Sequence, residues 1–261
     1  MATQVQFRGG SSTEHSSFQG AAREVTVDTF TGNITIPDKI IHSGDPNTAI
    51  RFPGNDEFSV ECNGGESLRI SSSDFIVSKD ATIQGVTFGR GNSDVISNTA
   101  SGRVALFSNT SGTQNTATGN AALYYNEGAS KNSAFGYQAL YKNETGSSNI
   151  AFGSSALNDN TTGAQNIAIG VLAQGENTSG SNNVTIGFQA GYLGTTGNNY
   201  TAVGYQAARS NTANNTVALG YQALFANTNG VANTATGMQS LYSNVSGDFN
   251  VAIGSLACSV S

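Results

Sequence analysis

Residues 143–157 read NETGSSNIAFGSSAL, and residues 160–173 read NTTGAQNIAIGVLA, which is nearly the same phrase. The shared core is an asparagine, a β-forming residue, an alanine, an apolar residue and a glycine. A phrase that returns at a fixed interval below about 50 residues is typical of a stacked array, in which each repeat buries its surface against its neighbours. The interval therefore decides the fold.

The interval is set by the closing glycine, which recurs every seventeen residues with a single step of sixteen. This glycine column comprises Gly102, Gly119, Gly136, Gly153, Gly170, Gly187, Gly204, Gly220, Gly237 and Gly254. Asparagine stands four places before most of them, at Asn98, Asn115, Asn132, Asn149, Asn166, Asn183, Asn233 and Asn250. Tyr200 and Thr216 break that column, and Thr185 breaks a column of alanines two places before the glycines. A second asparagine column follows seven places after the glycines, mostly opening Asn-x-x-Gly turns.

This period predicts an all-β fold with a parallel β-solenoid of 17-residue coils over residues 86–261. Each coil is expected to hold a short strand through the NIAIG phrase, a second strand around the following xxAL, and a tight turn back. A three-sided helix of hexapeptides needs three such phrases per coil, whereas one occurs here. The pattern therefore favours a flattened two-strand roll.

Stacking explains why these residue types recur, because identical residues lie above one another at about 4.8 Å per coil. Asparagine carries both a donor and an acceptor, so a column of asparagines can hydrogen-bond along the axis, whereas aspartate would repel itself. Glycine is expected to supply the positive φ that closes each turn, and alanine lets two sheets approach closely. The predicted structural ladder comprises Asn115, Asn132, Asn149, Asn166, Asn183, Gly119, Gly136, Gly153, Gly170 and Gly187.

Both faces of the predicted strand are apolar or small. Ile167 and Ile169 point to one side, and Asn166, Ala168 and Gly170 point to the other. Residues 91–261 contain only four basic and six acidic residues, too few to solvate either face. We therefore expect one face to be covered by another chain, in a parallel homotrimer that is either intertwined or side by side.

The first ninety residues carry the remaining charges, and this shift in composition marks different domains. EVTVDTFTGNITIP (residues 24–37) and DEFSVECNGGESLRIS (residues 56–71) each alternate apolar and polar residues around a glycine-containing turn, which predicts β-hairpins. VTFGRG (residues 86–91) is expected to lead into the solenoid. The predicted domains are an N-terminal β domain at 1–45, a β-hairpin connector at 46–85 and the solenoid at 86–261.

Composition also disfavours several functional classes. The net charge of −6 comes with no basic stripe for nucleic acid and no polybasic patch for a membrane surface. Cys62 and Cys258 are expected to be unpaired thiols, and His15 and His42 have no companions at metal-ligand spacing, so no metal or cofactor site is predicted. A secretory signal and long apolar runs are absent, which predicts synthesis in a cytoplasm without membrane insertion.

Two segments near the N-terminus resemble known proteins. VQFRGGSSTEHSSFQGAAREVTVDT (residues 5–29) resembles the N-terminal segment of many bacteriophage tail-fibre proteins. KIIHSGDPNTAIRFPGNDEFSVECNGGESLRI (residues 39–70) is similar to a module in fibre proteins of marine phages, especially cyanophages. The seventeen-residue repeat resembles the NTAxGxxAL arrays of phage fibres and, more distantly, the head of trimeric autotransporter adhesins.

This resemblance implies a trimeric, non-enzymatic fibre protein of a phage virion. Residues 1–45 would attach it to tail or baseplate proteins, and the solenoid would extend outward and contact a glycan or protein of the host surface. Such an orientation leaves the C-terminal coils outermost. Candidate receptor contacts there are Tyr221, Phe225 and Tyr242, because aromatic rings suit the apolar faces of sugars. The same rings could instead pack in a chain–chain interface.

Two alternatives remain open at this stage. The first is the head of a bacterial cell-surface adhesin, which the missing signal and anchor disfavour. The second is a polysaccharide depolymerase, since stacking would bring Glu127 near Glu144 and Asp159 near Glu176. Each carboxylate pair lies beside or within a turn, where solvent screens the charges, so no catalytic residue is predicted.

Overall fold

The computed structural model describes residues 26–27, 34–35, 39–42, 45–51, 58–62, 65–70, 75–77, 81–83, 86–91 and 95–259. These residues form nineteen β-strands and no helix, as the repeat predicted. The chain divides into two compact units, residues 1–79 and residues 80–261.

The first unit contains two antiparallel sheets. In the smaller sheet β1 (Thr26–Val27) pairs with β2 (Ile34–Thr35), which confirms the first predicted hairpin. The larger sheet is a meander of five strands in chain order, β3 (Lys39–His42), β4 (Asp45–Arg51), β5 (Phe58–Cys62), β6 (Gly65–Ile70) and β7 (Phe75–Val77). The antiparallel pairing of β5 with β6 confirms the second hairpin. This sheet runs across position 45, the predicted boundary between the N-terminal domain and the hairpin connector.

The second unit is built on one twelve-stranded sheet. It opens with the hairpin of β8 (Ala81–Ile83) and β9 (Val86–Gly89), and β9 lies antiparallel to β10. The remaining strands are β10 (Thr99–Ser101), β11 (Thr116–Thr118), β12 (Ser133–Phe135), β13 (Ile150–Phe152), β14 (Ile167–Ile169), β15 (Val184–Ile186), β16 (Thr201–Val203), β17 (Val217–Leu219), β18 (Thr234–Thr236) and β19 (Val251–Ile253). Each pairs in parallel with the next, in register with the repeat, so Ala151 lies between Ala134 and Ala168.

Each coil contains one strand of three residues, and its middle residue is buried in all ten coils. The segment around xxAL is not a second strand. Ser155 and Leu157 have φ of 55° and 51°, while Ala156 between them does not have a positive φ. The Ser155 amide donates to Tyr137 of the preceding coil and the Leu157 amide to Ala173 of the next coil. The segment therefore hydrogen-bonds to the coils on both sides without adopting an extended backbone.

The solenoid interior is narrow and filled by alanine and leucine. Alanine occupies the inward strand position in every coil except at Thr185, and the position three places after the glycine in every coil except at Ser240. A leucine follows in most coils. These leucines are buried, at Leu106, Leu123, Leu140, Leu157, Leu224 and Leu241. Because no layer is more than a few side chains thick, apolar burial within one chain is limited, and hydrogen bonds between coils have to supply much of the specificity.

The asparagines before the strand bind the backbone of adjacent coils. The Asn149 side chain accepts a hydrogen bond through Oδ1 from the Asn166 backbone amide (3.0 Å) and donates through Nδ2 to the Gly163 carbonyl (2.8 Å). Equivalent bonds are made by Asn115, Asn132, Asn166 and Asn183, except that Asn115 donates to the Ala129 carbonyl and Asn183 accepts from the Tyr200 amide. Each buried amide is thus satisfied by backbone groups.

A direct side-chain ladder is formed by the second asparagine column. Asn143 Nδ2 donates to Asn126 Oδ1 at 3.0 Å, and Asn160 Nδ2 donates to Asn143 Oδ1 at 2.7 Å. Both amides also donate to a glycine carbonyl three residues ahead, closing the Asn-x-x-Gly turn. The amide-to-amide contacts expected for the first column therefore occur mainly in the second, although the first column has such a contact at its C-terminal end, from Asn250 Nδ2 to Asn233 Oδ1 at 3.1 Å.

Two glycine columns are required for different reasons. In the strand-end column Gly119, Gly136, Gly153, Gly170 and Gly187 have φ between 130° and 143°, which other residues rarely adopt. A Cβ there would also collide with the backbone of the next coil. The turn glycines, such as Gly146, do not have positive φ, contrary to expectation. A larger residue does not fit at Gly146, because its Cβ would collide with the Gly163 carbonyl one coil ahead.

Replacing Gly153 by alanine should strongly destabilise the solenoid for two reasons. The new Cβ would collide with the Gly170 carbonyl, and the backbone φ of 143° at Gly153 is one that alanine rarely adopts. We expect a loss on the order of 3 kcal/mol and a fall in melting temperature of roughly 5–10 °C. Gly128→Ala is the matched control, since that Cβ would meet only the Ser111 hydroxyl at 3.3 Å. Differential scanning calorimetry of both variants decides; equal melting temperatures would contradict the close-approach explanation.

Candidate functional site

The outward face of the strands is partly exposed, mainly apolar in its middle coils, and lined with Ser and Thr in several of the others. We call this surface the strand face; it consists of the first and third residues of strands β10–β19. Nowhere on it does a charged residue occur. Phe152 is 58% exposed and stacks against Phe135 with ring centroids 5.7 Å apart. Its other large exposed members are Ile150, Ile169, Ile186, Leu219, Val251 and Ile253.

An aromatic column borders the strand face, at the position directly after the strand-end glycine. Phe188, Tyr205 and Tyr221 stack with centroid distances of 5.3 and 5.4 Å and nearly parallel planes. A ladder of glutamine amides runs beside them, in which Gln206 donates to Gln189 at 2.8 Å and Gln222 donates to Gln206 at 2.9 Å. Ring faces are occupied by neighbouring rings, so this column presents ring edges and tyrosine hydroxyls to solvent.

A second aromatic column lies five places after the strand-end glycine. Its N-terminal part is a cluster of Phe107, Tyr124, Tyr125 and Tyr141, with Phe107 stacked on Tyr124 at 5.2 Å. A hydrogen bond with Tyr125 raises the pKa of the Tyr141 hydroxyl. The column is interrupted in the next two coils by Asn158 and Gly175.

The C-terminal part of this second column contains a cation between two rings. The Arg209 guanidinium lies 5.6 Å from the Tyr192 ring centroid and 5.7 Å from that of Phe225, and Phe225 stacks on Tyr242 at 5.0 Å. Arginine thus takes the place of an aromatic ring through cation–π contacts. Burial, together with a hydrogen bond to Glu176, raises the pKa of the Tyr192 hydroxyl.

The three candidate receptor contacts lie in these two separate columns. Tyr221 is exposed and belongs to the column beside the strand face, whereas Phe225 and Tyr242 are half-buried in the second column. One face of each ring is covered by its stacking partner. Sequence spacing predicted the two columns but not the role of Arg209, because this position of the repeat is occupied by a cation in place of an aromatic residue.

The carboxylates considered for catalysis have structural partners or lie in solvent. Asp159 Oδ1 accepts from Lys142 Nζ at 2.9 Å, and Glu176 is hydrogen-bonded to the Tyr192 hydroxyl. Glu127 and Glu144 are exposed on the turn side. Among the described residues no three side chains of the His, Cys, Asp or Glu type are grouped to hold a metal ion. His15 lies outside the described residues.

No stretch in the described part of the chain forms a helix with the length and apolarity needed to cross a membrane. The exposed features of the described coils are the strand face, two aromatic columns and a polar turn side.

Comparison with known proteins concerns the N-terminal segment. Residues 5–38 match the family model described as major tropism determinant N-terminal domain. A stretch of 46 residues is 48% identical to the tail fiber receptor-binding protein of Bordetella phage BPP-1, covering 18% of this chain and 12% of that protein. No solved structure matches this chain.

These matches confirm the resemblance of the N-terminal segment to phage tail-fibre proteins. The chain shares only a small part of the length of the curated relative, and the solenoid lies beyond the residues of the family match. The chain therefore combines an N-terminal segment similar to that of a phage tail-fibre protein with a repetitive, parallel β-solenoid.

Arg209 should contribute to stability through its two ring contacts. Arg209→Ala should lower the melting temperature by roughly 2–6 °C, whereas Arg209→Tyr, which continues the aromatic stack, should retain most of it. Arg103→Ala, in an exposed side chain of the first coil, serves as the control. Thermal unfolding followed by circular dichroism tests this, and equal losses for Ala and Tyr would contradict the stacking role.

Proposed function

We propose that this chain is a structural fibre protein of a phage virion that extends from the tail or baseplate and mediates adsorption to the host surface. The observation that carries the proposal is the 48% identity of 46 residues to a tail fiber receptor-binding protein. The solenoid suits the extension, because ten stacked coils at about 4.8 Å span on the order of 45 Å. The N-terminal segment, residues 1–45, is the part that would join the particle.

Assembly as a parallel homotrimer is supported by the strand face. A lone chain exposes its apolar side chains over several consecutive coils, and surfaces of this extent are typical of interaction sites. Threefold symmetry would close three such faces around one axis, where an open pairing would continue into filaments. The second aromatic column and the polar turns would remain accessible on the outside.

Ile169→Asp should block trimer assembly, because it places a charge on the strand face where Ile169 is 38% exposed. Thr162→Asp is the matched control, in an exposed turn of the same coil. Sedimentation equilibrium at micromolar concentration should give three chains for the unaltered protein and the control, and aggregation or monomer for Ile169→Asp. A folded, monodisperse monomer of the unaltered protein, of about 27 kDa, contradicts the trimer.

Host contact is proposed for the outer aromatic edges of the C-terminal coils. Phe225 and Tyr242 offer a partly covered ring pair beside the Arg209 cation, and Tyr221 offers a hydroxyl at the edge of its column. Aromatic and cationic groups together suit a glycan or protein of the host surface. Because Tyr221 borders the strand face, its exposure in a trimer depends on how closely the chains approach.

Deleting residues 1–38, the segment of the family match, should separate attachment from adsorption. This deletion leaves the five-stranded sheet complete from Lys39 onward. Virions produced with the gene for the truncated protein should lack that protein by immunoblot. The purified truncated protein should still slow adsorption of intact phage to host cells. Phe225→Ala and Tyr242→Ala should weaken this competition at least several-fold.

Either half of the proposal can fail independently in that experiment. Deleted protein incorporated at the normal level would refute attachment through residues 1–38. Purified full-length protein that leaves the adsorption rate unchanged would refute host contact. Loss of trimers in Phe225→Ala or Tyr242→Ala would assign those rings to chain–chain packing.

A non-enzymatic role is part of the proposal. Its support is that Asp159 and Glu176 each interact with a neighbouring side chain. Glu127 and Glu144 are exposed on the turn side, where solvent screens their charges. The rival depolymerase function predicts release of reducing sugars from host polysaccharide, and such release by the purified trimer would overturn this part.

A further inference from the structure

The solenoid interior is interrupted by a polar layer in the middle of its length. One apolar cluster ends at Ala173, and the next begins at Ala190. Gln174 follows the first cluster at the position where the preceding coil has Leu157, and it is fully buried. In the coil above, Gly191 takes the leucine position.

The second asparagine column is interrupted at the same level. Asn160 Oδ1 accepts from the side chain of Asn177 one coil ahead, at 2.7 Å. One coil above Asn177 the column has Gly194, which offers no amide to Asn177 Oδ1. Two glycines thus replace a leucine and an asparagine in one coil, and they leave room inside the stack.

Tyr200 reaches into this room. It replaces an asparagine of the first column and is 1% exposed. Its hydroxyl lies 2.6 Å from the place where a Cβ of Gly191 would stand and 3.2 Å from that of Gly194. The hydroxyl therefore ends beside both glycines, which stack directly over Gln174 and Asn177.

Three buried polar atoms at this layer have no hydrogen-bond partner in the protein: Gln174 Oε1, Asn177 Oδ1 and Tyr200 Oη. The great majority of buried polar atoms in native proteins are hydrogen-bonded, either to protein groups or to ordered water. The orientation of the Asn177 amide is fixed, because its Nδ2 donates to Asn160 Oδ1 and to the Gly180 carbonyl. Its Oδ1 therefore needs a donor from the space left by Gly194.

We propose that this layer binds one internal water molecule, held by Gln174, Asn177 and Tyr200. The water donates its two hydrogens to Gln174 Oε1 and Asn177 Oδ1 and accepts one from the Tyr200 hydroxyl, so all three atoms are satisfied together. Buried waters typically make about three hydrogen bonds of this kind. Neighbouring coils are about 4.8 Å apart, a separation that one bridging water spans. A monovalent cation would suit the two amide oxygens but would leave the tyrosine proton without an acceptor.

The sign of a stability change tests the proposal. Tyr200→Phe keeps the ring and removes the hydroxyl, so a bound water would lose one of three partners and the melting temperature should fall by roughly 2–4 °C. If the layer is dry, the same change removes an unsatisfied buried group and should raise the melting temperature. Tyr205→Phe, at an exposed tyrosine, controls for the loss of a hydroxyl and should have no effect.

Coupling and direct observation complete the test. Gln174→Leu restores the residue type of most other coils, and its effect should be non-additive with that of Tyr200→Phe because both act through the same water. A crystal structure of the full chain at high resolution should show one solvent peak within hydrogen-bond distance of the three atoms. A raised melting temperature for Tyr200→Phe, additive effects, an empty layer, or stability that differs between potassium and sodium at equal ionic strength would overturn the proposal.

Discussion

The structure depends on hydrogen bonds between identical positions of successive coils. Asn149 illustrates the constraint, since its amide accepts from the backbone of Asn166 and donates to the Gly163 carbonyl, and is completely buried. Such a buried amide tolerates no change of register, because a slip of one residue leaves its donor and acceptor unsatisfied. The seventeen-residue period follows from this requirement, because each asparagine has to lie in register with its partners in the adjacent coils.

Fixing the register by polar ladders has a cost in apolar burial. The interior holds alanines and, in most coils, a leucine, while Phe152, Ile169 and their equivalents face outward. A globular domain would place these larger side chains inside. In this fold the inward strand positions are too close to the opposite wall for them, so the apolar surface needed for stability lies where a second and third chain would cover it. The proposed assembly and the fold are therefore linked by the same geometry.

The similarity to tail-fibre proteins and the solenoid concern different parts of the chain. The matched segment lies within the first unit, whereas the repeat occupies the second. This division fits the proposed function, in which the N-terminal segment would join the particle and the solenoid would present a surface to the host. Repetition also gives the exposed columns a regular spacing, and the replacement of a ring by Arg209 shows that one position can change without altering the coil beneath it.

The sequence by itself determined the β-solenoid, its period, the direction of the strand side chains and two of the hairpins, because each follows from local periodicity and turn chemistry. The tertiary structure decided the rest. Leucines with positive φ, as at Leu157, replaced the predicted second strand, since bonds to both neighbouring coils offset a conformation that propensity disfavours. The candidate ring residues were found by spacing, but their stacking and the Arg209 sandwich were not. The packing of the Tyr200 hydroxyl beside Gly191 and Gly194 was not predicted either, because residues of different coils come into contact only when the stack has formed.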